Sequence, residues 1–218
     1  MIHRISCNQL EGIRKNPLGY AQYIAGNNKK QEGGKPGVLS FWCDAAKEVH
    51  RNEKDITQAQ NDFINKCINT FDQNNKKNTS KQDLLLDVFE KYCKQYDELN
   101  LKFLVSKKLI NWQIHSNGIL TGNTPWITEK NGEYFVFHAT LSQEDWKDEL
   151  KYPLIQEYLA SYCFNCSVDK INVGVYSVTN NQFEFIKYSK KEIKEAKAEA
   201  KYIFTIVNNE FDKIKKNQ

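Results

Sequence analysis

Hydrophobic positions fall at helical spacing through the N-terminal part of the chain and alternate at strand spacing in its middle. Between Ser6 and Ala25 the pattern predicts a helix interrupted or restarted at Pro17, with Ser6 or Asn8 as its cap. The stretch GNNKKQEGGKPG, residues 26–37, is loop by composition. A second helical region runs from about Phe41 to Phe71, with Ile56, Phe63, Cys67 and Phe71 on one side. DQNNKKNTSKQD breaks that pattern, and Ser80 is the candidate cap of a third helix whose buried stripe is Leu85, Val88, Phe89, Tyr92, Tyr96 and Leu99. Three strand-like runs follow, KLINWQIH, ILTGNTPWIT and EYFVFHATL, the last two joined by a tight turn through Asn131 and Gly132. A helix near Glu149 to Phe164 comes next, then the strands INVGVYSV and QFEFIKY about a turn at Asn180 and Asn181, then a helix from Ser189 to about Lys215. This order predicts an α+β, or mixed α/β, fold with a central mixed sheet of about five strands flanked by helices.

At 218 residues, with no run that reads as an interdomain linker, residues 1–218 are expected to form a single domain. The opening MIHRISCNQL lacks an apolar signal core and no run approaches the roughly 18 apolar residues of a membrane span, so the expectation is a soluble, cytoplasmic protein without a membrane partner. Its cysteines then read as thiols, and only Cys163 and Cys166 have ligand-like spacing. Further ligands are not grouped near them, so they read as small apolar residues near a helix end. Ser6, Ser40 and Ser161 lack a nucleophile-elbow setting, and neither a Walker loop nor a GxGxxG run occurs, which argues against serine hydrolysis and nucleotide-driven chemistry.

A net charge of +4 permits an acidic partner without demanding one, so the arrangement of charge matters more than its sum. On a wheel of the last helix Ile193, Ala196, Ala200, Ile203, Val207, Phe211 and Ile214 form one buried stripe. Lys190, Lys194, Lys197 and Lys201 line one flank of it; Glu192, Glu195 and Glu199 line the other. A lysine row with steps of about 5 to 6 Å can follow a phosphate backbone and make binding salt-sensitive. The plainer reading is a solvated helix held by intrahelical Glu–Lys pairs. The pairs Lys29–Lys30, Lys76–Lys77 and Lys107–Lys108 lie in loops or at element starts and read as solubilising charge.

Four segments, in order, resemble the PD-(D/E)XK nuclease superfamily, especially its RecB-like and lambda-exonuclease or YqaJ-like branches. ISCNQLEGIRKNPLGY is similar to the opening helix, SFWCDAAKEVH to a small-residue helix ending in a metal-coordinating histidine (His50), GNTPWI with YFVFHAT to the strands bearing the acids and lysine, and PLIQEYLASY to the later helix, through Gln156 and Tyr158. The resemblance implies a restriction-endonuclease-like fold. Active members hold magnesium on two acids from adjacent strands, with a lysine two residues past the second acid, on the same strand face, to position water. In this chain Trp126, His138 and Thr140 stand at those three positions. An indole cannot hold a hard cation, a lone imidazole suits softer metals, and threonine lacks the lysine charge.

A shifted register does not restore the motif, since neither Glu129 nor Glu133 is followed by a lysine two residues on. Glu144, Asp145, Asp148 and Glu149 read as a helix start or solvated loop, with Lys147 or Lys151 as the candidates for a migrated lysine. A remnant transition-metal site would combine His50 and His138 with Glu144 or Asp145; the plainer reading is one histidine on a helix face and one satisfied in the sheet. Trp126 reads as core cover or as a base-stacking platform. The expectation is a catalytically inactive nuclease-fold protein with no cofactor, acting as a DNA- or RNA-binding, structural or regulatory subunit of a DNA-processing, phage or defence assembly, with a protein partner. The alternatives are a protein-interaction module without nucleic-acid affinity and a divergent metal-dependent nuclease.

Overall fold

Several helices start where a side chain satisfies free N–H groups of the first turn, and the computed structural model, which describes residues 3–26, 36–142 and 145–217, shows Asp55, Asn75 and Ser189 doing so. Ser6 ends a strand, β1 (His3–Ser6), and its hydroxyl bonds Gln9 to close the turn into α1 (Leu10–Lys15), so it is not a helix cap. The chain breaks at Asn16 and restarts at the expected proline as α2 (Pro17–Gly26). The loop expected over residues 26–37 falls almost wholly on residues 27–35, outside the described residues, as do Lys29 and Lys30. The second helical region is two helices, α3 (Val38–His50) and α4 (Ile56–Thr70). Asn52, in a left-handed conformation, ends the first, and an Asp55–Gln58 capping box starts the second. Ser80 lies inside α5 (Lys76–Leu99); the cap is Asn75, whose carbonyl oxygen accepts from Lys77 and Asn78.

The strands are β2 (Lys102–Val105), β3 (Leu109–His115), β4 (Gly118–Asn123), β5 (Trp126–Lys130) and β6 (Glu133–Thr140). After a short 3-10 turn at Trp146–Asp148, α6 (Lys151–Tyr158) continues as a π-helical tail, Leu159–Phe164, that stops at left-handed Asn165. Then come β7 (Ile171–Ser177), β8 (Gln182–Ile186) and α7 (Lys190–Lys216), the last opened by a Ser189–Glu192 capping box. A five-stranded mixed sheet runs β2-β5-β6-β7-β8, with β6 and β7 parallel across the α6 connection and the other pairs antiparallel. The expected α+β fold with a five-stranded mixed sheet is therefore present. To it is added a three-stranded sheet, β1-β4-β3, with β1 parallel to β4. The run ILTGNTPWIT, expected as one strand, is divided between the two sheets. Thr124 makes the division: its N–H donates to the Lys108 carbonyl at 2.9 Å and its hydroxyl accepts the Lys108 N–H at 2.8 Å.

Alternation along the five-stranded sheet sends side chains into two separate cores. On one face Ile127, Val136, Val173 and Val175 pack with α6, α7, α1 and the small sheet. On the other, Trp126, Phe137, Ala139 and Tyr176 pack with α3, α4 and α5. Gly174 allows β8 to lie close, because a Cβ there would sit 2.0 Å from the Glu184 carbonyl oxygen. The predicted stripe of α7 is buried from Ile193 to Phe211, with Ile214 half-buried. Among the described residues no helix is long and apolar enough to cross a membrane.

Candidate nucleic-acid interface

Trp126 pairs with Phe137 across the β5–β6 hairpin, so it shares the face of Phe137 and Ala139, while His138 and Thr140 point to the other face. Trp126 is core cover: only 8% exposed, it meets Phe137 edge-on at 5.6 Å and His50 at 5.7 Å. It offers no stacking platform. His50 accepts or donates a 2.6 Å bond with the Tyr92 hydroxyl and stacks on Tyr96 at 3.6 Å, and burial depresses its pKa to about 3. His138 lies across the sheet against Tyr152, with a 3.4 Å contact to its hydroxyl; burial, then the Lys151 charge, lowers its pKa to about 4. The remnant pair His50–His138 is thus not brought together. Glu144 lies outside the described residues, and Asp145 accepts the Lys147 N–H at 3.1 Å to start the 3-10 turn. Among the described residues no three His, Cys, Asp or Glu side chains form a metal-holding group. The three motif positions do not fit magnesium, which needs converging oxygens: one is an indole on the wrong face, one a desolvated imidazole, and one a hydroxyl that accepts the Ser142 N–H.

The helper positions have structural partners. Gln156 is fully buried, donates to the Val168 and Tyr188 carbonyls at 2.9 and 3.1 Å, and accepts the Tyr188 N–H at 2.9 Å. Tyr158 donates to the Leu109 carbonyl at 3.0 Å. Glu129 accepts the Gly132 N–H at the hairpin turn, and Glu133 pairs with Lys187 at 2.8 Å. Lys147 pairs with Glu184 at 3.2 Å and Lys151 with Glu149 at 2.7 Å, so neither is a lysine held over paired acids.

The lysine flank of α7 has a different environment. The lysines of α7 form the ion pairs Lys191–Glu195 at 3.9 Å, Lys197–Glu157 at 2.5 Å and Lys213–Glu210 at 3.8 Å, of which only Lys197 belongs to that flank. Among the described residues Lys190, Lys194 and Lys201 make none, and all three are exposed. On the acidic flank Glu199 takes a two-pronged contact from Arg14 at 2.6 and 3.2 Å, fastening α7 to α1, while Glu192 caps the helix and exposed Glu195 pairs with Lys191. Glu199 thus reaches a neighbouring helix, while the lysine flank forms an open side. On the open side Lys190, Lys194 and Lys197 line a groove of about 430 Å³ with Glu157, Ser161 and Ser167, and Lys201 continues the row beside Gln113 and Ser116 of the small sheet. Of the groove's lining, Glu157 is paired with Lys197; nearby Asp169 accepts the Ser167 hydroxyl and stays anionic near Lys190.

Aromatic rings continue the same face. Lys197 sits 5.0 Å over the Trp112 ring, Trp112 meets Tyr162 at 5.8 Å, and Tyr162 stacks on Tyr158 at 5.4 Å. Tyr162 is 62% exposed. Beyond it Lys108 lies 5.5 Å over Phe164. Sequence reasoning singled out Tyr158 only as a helper position and missed Tyr162 and Trp112, although Tyr158 and Tyr162 stand four residues apart in a predicted helix and therefore had to share a face. The link to Trp112 depends on α6 docking against β3, which no local pattern encodes. The thiols of Cys163 and Cys166 are half-buried, and burial raises their pKa values. No protein-family model matches the chain, and no curated protein matches it significantly.

Proposed function

We propose that the protein is a non-catalytic nucleic-acid-binding module with a nuclease-like scaffold, serving as a subunit beside the active components of a DNA-processing, phage or defence assembly. The observation that carries this reading is the row Lys190, Lys194, Lys197 and Lys201: three of its members are unpaired among the described residues, and the row borders an open groove. Unpaired ammonium groups at the pitch of a helix lower the potential energy of a polyanion along their whole length and release its counterions on binding. The scaffold part of the reading rests on the resemblance and on the element order of helix, antiparallel strands, helix and parallel strand around the mixed sheet. The loss of catalysis rests on Trp126, His138 and Thr140, whose chemistry and opposed faces do not suit a two-acid magnesium site.

Fluorescence anisotropy with labelled single- and double-stranded oligonucleotides over a salt series tests it. Affinity is expected to fall steeply with salt, and the Lys190→Gln, Lys194→Gln, Lys197→Gln, Lys201→Gln variant is expected to weaken binding and flatten the slope by up to about 3 to 4. Flat anisotropy at low salt with every probe overturns the proposal and leaves a protein-interaction module in its place.

A further inference from the structure

Lys197 and Trp112 link the lysine row to one exposed aromatic ring, Tyr162, and this combination selects among nucleic acids. A duplex hides its bases, so it gains from lysines but not from a ring that offers a stacking surface. Tyr162 offers such a surface. The residue is 62% exposed, its ring is braced by Tyr158 at 5.4 Å and by Trp112 at 5.8 Å, and Trp112 is only 4% exposed, which fixes the brace. In the π-helical tail Tyr162 directly follows Ser161, which lines the groove that Lys190, Lys194 and Lys197 border. Lys197 joins the two features physically, since its ammonium group touches both Glu157 in the groove and the Trp112 ring. Along α7, Lys190 to Lys201 spans about 16 Å at 1.5 Å per residue, a length that a few nucleotides of extended strand cover.

We infer that the occupant of this face is single-stranded nucleic acid, with its phosphates along the α7 lysines and a base stacked on Tyr162. The inference rests on the binding reading above and narrows it to a strand with unstacked bases. Stacking on one aromatic side chain, measured by alanine substitution, amounts to a several-fold or larger change in affinity.

The test uses the full chain with 5′-labelled oligothymidine, a mixed-sequence single strand and a duplex of the same length, at one low salt concentration. Single strands are expected to bind more tightly than the duplex. Tyr162→Ala is expected to weaken single-strand binding at least about fivefold while Tyr162→Phe retains it, and duplex affinity stays the same in both variants. Because Tyr162 is exposed, both variants keep the fold, which circular dichroism verifies. Tyr162→Ala binding single strands like the parent overturns the inference yet leaves the lysine reading standing, as does a duplex bound more tightly than either single strand. Failure of every probe to bind overturns the lysine reading itself, and the inference with it.

Discussion

At the scale of single residues, the histidines illustrate how a position can look chemical and be structural. His50 packs among Tyr92, Tyr96, Phe103 and Trp126 and His138 lies against Tyr152 with Lys151 nearby, so burial, and for His138 also the Lys151 charge, favours the neutral ring and each pKa falls, from the ordinary 6.5 to about 3 and about 4 respectively. The consequence for stability has a definite sign. In the unfolded chain both rings take up a proton as pH falls through about 6.5, whereas in the folded chain they resist it until their depressed values. Protonation therefore favours unfolding: stability is full above about pH 6.5 and declines steadily below it, levelling only under the folded pKa values. Urea midpoints measured between pH 7 and pH 5, where most carboxylates remain ionised, are expected to fall. The double variant His50→Phe, His138→Phe is expected to show a flatter profile over the same window. An unchanged slope would mean that the rings are solvated.

At the scale of elements, α6 holds the molecule together by a glutamine. Gln156 spends both amide hydrogens and its carbonyl oxygen on the segments that lead into β7 and α7, so the position expected to help catalysis instead fastens the groove's walls. Gln156→Leu leaves the Tyr188 N–H and two carbonyls without that partner in a buried site. It is expected to cost about 2 to 4 kcal/mol, read as a lower urea midpoint, while the folded fraction keeps its salt-dependent binding. A catalytic helper would give the opposite pattern, with stability retained. The helices themselves follow from their caps. Asp55 with Gln58 and Ser189 with Glu192 are reciprocal capping boxes visible as spacing in the chain, although only the second start was predicted.

At the scale of the whole molecule, the five-stranded sheet separates two cores and thereby separates the residues a nuclease would have to gather. Trp126 and His50 belong to the α3–α5 side and His138 to the α6 side. Incubation of labelled DNA and RNA with the protein and magnesium, manganese or a softer metal is expected to leave both intact on denaturing gels. Cleavage abolished by His138→Ala would reinstate a divergent enzyme. Charge is likewise organised globally: Glu199 on the acidic flank of α7 docks on Arg14, and the basic flank stays open beside the small sheet. A net charge of +4 conveys none of this, because the total is insensitive to which side each charge occupies.

The amino-acid sequence by itself determined most element types and the closing helix, because periodicity, caps and turn residues act over a few positions. It also determined the hairpin, where left-handed Asn131 and Gly132 form a two-residue turn. That turn sets Lys130 opposite Glu133 and hence Trp126 opposite Phe137, so the opposed faces of Trp126 and His138 were already legible as register. Tertiary structure alone decided the parallel pairing of β1 with β4, the division of ILTGNTPWIT between two sheets, and the docking of α6 on β3 that brings Tyr162, Trp112 and Lys197 together. These are contacts between residues far apart along the chain, where partner choice depends on which apolar faces remain to be covered once every local element has formed.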